Sequence, residues 1–139
     1  MLSCLAAGVI AAGANTAEAQ QAGADSGATV ADGVFSPAQA TRGQRLFEGV
    51  CVACHEPAQF TASPFLDQYD GKSVDTLFRW LQENMPEDAP GQLRPAQYAD
   101  VISYIFSLNG FPPGEEDLPT SRSRLREIRI EVAGGAGGG

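Results

Sequence analysis

The stretch "GVCVACHEP", residues 49–57, holds two of the chain's three cysteines and its only histidine. Cys51, Cys54 and His55 fall within five consecutive positions, and no second histidine exists to assist them. Any chemistry that uses this triplet must take two thiols and one imidazole from a single short segment. That constraint organises the reading of everything around it.

Two cysteines separated by two residues, with histidine directly after, form the attachment signature of c-type haem. The spacing suits two thioether bonds to the vinyl groups on one porphyrin edge, with the adjacent histidine reaching over the ring to the iron. Three other uses of the triplet are weaker. A redox dithiol belongs beside a βαβ pattern, which this sequence lacks. A zinc site needs a fourth ligand and normally a second cysteine or histidine pair. A disulfide across two residues would be strained and would leave His55 unexplained. One covalently attached haem c with its iron is therefore the expected cofactor.

The 139 residues leave room for one small domain plus ends, and 43% apolar with 19% charged residues is a globular composition. A domain of this size buries a modest core, so an apolar cofactor would help it fold. The formal charge is −8, with Lys72 as the single lysine. That balance argues against nucleic acid and against anionic membranes as partners. The opening "MLSCLAAGVIAAGANTAEAQ" reads as an export signal over residues 1–19: the apolar run is too short to span a bilayer, and Ala17-Glu18-Ala19 is a small-x-small cleavage pattern. No Lys or Arg precedes the run. Lipid anchoring through Cys4 is the rival reading, but Met1-Leu2-Ser3 is a poor lipobox, so export to the periplasm with cleavage is favoured.

Residues 20–35 are small, polar and glycine-rich, and are expected to form a flexible linker. Order is expected from Ser36-Pro37-Ala38-Gln39, a capping serine, a proline at the first helical position and a glutamine three residues on. This helix runs to the CxxCH segment. Ser73 caps a second helix, in which Val74, Leu77, Phe78 and Leu81 share one apolar face, and Pro86 helps end it. A third opens near Pro95, repeats the spacing at Tyr98, Val101, Ile102, Ile105 and Leu108, and stops at Asn109-Gly110. Strand signals are weak, so the domain, 36–114, is expected to be all-α with three main helices around one haem. In the tail, 115–139, Ile128, Ile130 and Val132 alternate as in an extended strap, with a flexible tail as the alternative. The final "GGAGGG" is low-complexity.

Histidine fills one face of a haem iron, and the other face decides function. Met85 is the only methionine besides Met1 and sits in "NMPEDAPG", after an amphipathic helix and in a loop stiffened by Pro86 and Pro90. A methionine at a helix end is more commonly a core filler. With no second histidine and one lysine in the chain, Met85 is the favoured sixth ligand, since His/Met is the ligation of small electron-transfer cytochromes.

At these residues the chain resembles the class I monohaem cytochromes c, and in particular a bacterial branch with "NMP", a "PGxL" turn and a "YADVxxYI" helix. The matching residues are Asn84-Met85-Pro86, Pro90-Gly91-Gln92-Leu93 and Tyr98 to Ile105, and the likeness spans roughly 36–114. The resemblance implies that the first and last helices cross at close range, with Gly43, Phe47 and Tyr104 at the contact. It also implies a proline carbonyl accepting the free N–H of His55, with Pro64 as the nearest match and Pro57 as rival. Trp80 and Arg79 are implied as partners of the haem propionates, although Trp80 suits core or haem packing equally well.

An iron held by His55 and Met85 would exchange single electrons and admit no substrate, so the expected role is a carrier with no catalytic residues. Between residues 36 and 119 there are twelve acidic and five basic side chains. Recognition should then use an apolar patch at the haem edge or a basic patch on the partner. The resemblance implies a periplasmic dehydrogenase as electron donor and an oxidase or another cytochrome as acceptor, with the chain itself a monomer. Two alternatives stand: a fixed subunit of a larger dehydrogenase attached through the tail, and an open-iron peroxidase or gas sensor if Met85 does not ligate.

Overall fold

A computed structural model describes residues 27–61 and 63–132. The expected export segment with Cys4, the linker up to residue 26 and the terminal glycine run lie outside the described residues. Among the described residues five α-helices are formed: α1 (Pro37–Leu46), α2 (Ser63–Asp67), α3 (Val74–Asn84), α4 (Pro95–Leu108) and α5 (Arg122–Arg126). Among the described residues only two isolated bridges, Thr29 with Arg129 and Ser73 with Arg129, have strand-like pairing. The fold is thus the expected small all-α cytochrome c type, with α1, α3 and α4 as its main helices.

The start of α1 follows from its sequence: Pro37 occupies the first turn and the Ser36 hydroxyl accepts the Gln39 N–H at 3.0 Å. Gln39 does not complete a capping box. Its buried carboxamide instead accepts the Leu118 N–H at 2.6 Å and the Ser103 hydroxyl at 2.8 Å, and donates to the Leu118 carbonyl at 3.2 Å. One side chain thereby ties α1, α4 and the tail together.

Helix α4 is the spine. Every residue from Tyr98 to Phe106 is buried, and Gly110 ends the helix at φ 76°, where glycine is unstrained. α1 crosses α4 at Gly43, where a Cβ would lie 1.8 Å from the Asp100 carbonyl oxygen and 2.9 Å from the Tyr104 Cβ. The Phe47 and Tyr104 rings pack beside this contact at 5.5 Å, as the resemblance implied. On the same crossing the Arg42 guanidinium holds Asp100 at 3.2 and 3.3 Å.

In α3, Val74, Leu77 and Phe78 are buried, as their spacing requires. Ser73 stands at the N-cap but its hydroxyl accepts no backbone N–H; it lies 3.4 Å from the Thr76 hydroxyl. Met85 closes the helix in an extended conformation (φ −127°, ψ 147°), the region into which the following proline directs it.

The tail through Val132 is a strap on the domain. Ile128 and Ile130 are buried while Arg129 between them is exposed. The strap accepts the Val74 N–H at Ile128 and the Gly71 N–H at Ile130, and donates from Ile130 to the Lys72 carbonyl, at 2.8–2.9 Å. α5, with no counterpart in the sequence reading, carries Arg122 and Arg126 onto the buried Asp75. The Arg122 hydrogen bond holds the Asp75 carboxyl below the usual range, outweighing the burial that pushes it up.

The expected linker differs in its second half. Val30 and Phe35 are 0% and 1% exposed, and the Val30 N–H donates to the strap at Arg129, 2.9 Å away. Two apolar anchors are enough to fix 27–35, and glycine-rich composition averaged over the window conceals them. The ordered unit therefore extends beyond 36–114 on both sides. No helix among the described residues is long and apolar enough to cross a membrane.

The crossing yields a direct test. Gly43→Ala places a methyl group against backbone and should cost about 1–3 kcal/mol, the range for overpacking, read as a lower midpoint of chemical unfolding. An unchanged midpoint would contradict the close approach.

Candidate functional site

The attachment segment begins where α1 loosens. Phe47–Cys51 forms a wide turn in which the Val52 N–H donates to the Phe47 carbonyl, five residues back, at 3.1 Å. Such π-type turns are uncommon and recur at functional positions. The chain then tightens: the Cys51 carbonyl accepts both the Cys54 N–H at 3.1 Å and the His55 N–H at 2.9 Å. Both thiols and the imidazole are thereby gathered at one place. Cys51 is half-buried, Cys54 is exposed, and they are not bonded to one another. Burial pushes the Cys51 thiol up from its ordinary value.

His55 is oriented by its neighbours. Its Nδ1 lies 3.3 Å from Oε1 of Gln59, which also accepts the Glu56 N–H at 3.0 Å. An oxygen already acting as acceptor requires Nδ1 to carry the proton. In the neutral imidazole Nε2 then carries the lone pair, the form that a metal takes. Phe60 meets the His55 ring edge-on at 5.5 Å, and its carbonyl accepts the Asn109 side-chain N–H from the end of α4 at 2.8 Å. Gln59 thus stands where a proline carbonyl was expected. Being third in a turn that starts at Pro57, it reaches back over His55, while Pro64 lies exposed on α2.

Cys51, Cys54 and His55 share a cavity of about 800 Å³ with Met85, and Phe47, Leu77, Leu81, Val101 and Ile105 supply much of its apolar wall. Cavities of roughly 300–1,000 Å³ with a few placed polar groups suit cofactor-sized molecules. Met85 is half-buried and its backbone is held at both ends: its N–H donates to the Leu81 carbonyl at 2.8 Å and its carbonyl accepts the Tyr98 hydroxyl at 2.7 Å. Trp80 lies on the wall and is 45% exposed. Arg79 is off the wall, exposed, and 3.5 Å from Glu83.

The structure thus brings Cys51, Cys54, His55, Met85 and Trp80 together, and leaves Pro64 and Arg79 outside. Gln59 and Tyr98 were missed as site residues. Gln59 was legible, since glutamine two residues after a helix-starting proline is a capping position. Tyr98 was part of the matching helix but was given no role, because its place on an apolar face reads as core.

The donor set fits a haem. One imidazole and one thioether are too few to hold a bare ion, and among the described residues no cluster of three or more His, Cys, Asp or Glu could do so. They suffice for an iron that brings four equatorial nitrogens in its own macrocycle. The comparison with known families agrees: residues 38–105 match the family described as cytochrome C oxidase, cbb3-type, subunit III. The matched segment is a class I monohaem c-type cytochrome domain that carries covalently bound haem c, and its chemistry is haem-based electron transfer. No curated protein and no solved structure matches the chain.

Replacing Cys51 and Cys54 together with alanine should abolish covalent haem, read as loss of the haem-stained band on a denaturing gel. Normal staining in the double variant would remove these thiols from the attachment site.

Proposed function

We propose that this chain is a periplasmic electron carrier in which Cys51 and Cys54 attach the haem and His55 and Met85 are its axial ligands. The observation that carries the reading is that Met85, distant in sequence, lines the same cavity as the CxxCH triplet. When bound, the haem supplies a one-electron iron couple. The protein's part is to hold both axial donors in place in either oxidation state, so that little reorganises when the electron moves. His55 is fixed through Gln59 and Phe60, and Met85 through Leu81 and Tyr98. A soft thioether favours the ferrous state and raises the potential. With His55 and Met85 both committed to the iron, the site would have no place for a substrate.

Several features support a freely diffusing carrier. The strap uses Ile128 and Ile130 to cover its own domain, so those residues are spent within the chain and not offered to a larger enzyme. The exposed Trp80 and the acidic Glu87 and Asp88, which line the same cavity, suit a partner with a basic rim around an apolar contact. A periplasmic dehydrogenase fits as donor. The matched family's description names a cytochrome c oxidase subunit, which supports an oxidase, or a cytochrome leading to one, as acceptor. The export-type N-terminus supports the location.

Met85→Ala tests the ligand set. The variant should keep covalent haem, bind carbon monoxide when reduced and show a lower reduction potential. Exclusion of carbon monoxide equal to that of the unaltered protein would remove Met85 from the ligands.

A further inference from the structure

We infer that Tyr98 is a positioning residue for the sixth ligand: its hydroxyl clamps the Met85 carbonyl and so sets how firmly the Met85 sulfur stays on the iron. The inference rests on the proposed His55/Met85 ligation and extends it to Tyr98, a residue of the "YADVxxYI" helix to which the resemblance assigned no role.

Three observations carry it. First, Met85 lies beyond the last residue of α3, where an extended backbone and a following proline remove helical restraint. Second, its two backbone polar groups are taken by different helices, the N–H by Leu81 in α3 at 2.8 Å and the carbonyl by the Tyr98 hydroxyl from α4 at 2.7 Å. The peptide is thereby pinned across the gap between them. Third, Tyr98 is itself closely packed: it is 1% exposed, sits in the first turns of the buried spine and lies against Phe78 at 6.2 Å between ring centroids. Tyr98 also lines the cavity, so its hydroxyl joins the wall to the loop that carries the ligand. Without this bond the carbonyl would turn away, and the Met85 side chain would lose one of its two anchors. An external ligand could then displace the sulfur more easily.

Tyr98→Phe keeps the ring and its packing while removing the hydroxyl. Imidazole binding to the oxidised holoprotein is the readout. Affinity should rise about 2- to 10-fold, the range that one neutral hydrogen bond supports. In a Met85→Ala background, where no sulfur competes, the same change should have no effect on imidazole binding. An unchanged affinity in Tyr98→Phe alone would overturn the clamp, and so would an equal rise in both backgrounds, which would mean a general change in the cavity. If the unaltered protein bound imidazole as tightly as Met85→Ala does, the ligand assignment would fail together with the inference. Should Tyr98→Phe yield no holoprotein, nuclear magnetic resonance of the unaltered reduced protein decides. A slowly exchanging Tyr98 hydroxyl proton close to Met85 and Pro86 supports the clamp, and a freely exchanging one overturns it.

Discussion

The approach of α1 to α4 at Gly43 is the contact on which the remaining structure depends. With no side chain at that position, the backbone of α1 rests against the Asp100 carbonyl, and the two helices cross closer than any larger residue would permit. That distance places Phe47, Val101 and Ile105 together on one side of the crossing, where they become cavity wall. It also fixes where α1 ends, and the attachment segment begins at that end. Arg42 on Asp100 and Gln39 on Ser103 hold the same crossing from its polar side.

The two proposed axial donors depend on separate supports. His55 belongs to the α1 side, steadied by the Pro57–Phe60 turn that Asn109 tethers to α4. Met85 belongs to α3, whose start is held by the strap and by the arginine pair on Asp75. The strap, to which the segment 27–35 is hydrogen-bonded, holds the start of the helix that ends at Met85, although both lie outside the family match. Helix α4 touches both supports, through Asn109 at one end and Tyr98 near the other, which makes it the element that relates the two donors.

Much of this was legible in the sequence, for identifiable reasons. CxxCH is a covalent-geometry motif, so its reading did not depend on the fold. The three main helices were legible because their apolar residues repeat with helical period and because Pro37, Pro86, Pro95 and Gly110 punctuate them. The Gly43 contact came from resemblance, since a helical glycine alone does not say what approaches it. Three features were not legible. Gln39 matched a capping pattern, but burial gave its carboxamide better partners on Leu118 and Ser103. Val30 and Phe35 were concealed by their glycine-rich surroundings. The Tyr98 hydroxyl bond joins residues on two elements, and no local pattern marks such a pairing.

The central claim is an iron closed on both sides by this chain's own side chains. The most direct test is the absorption spectrum of the exported holoprotein, oxidised and reduced, with and without carbon monoxide. His55/Met85 ligation predicts sharp low-spin reduced bands, a weak red iron–methionine band in the oxidised protein, and no change on adding carbon monoxide. A high-spin spectrum that shifts with carbon monoxide would contradict it, because one axial position would then be open.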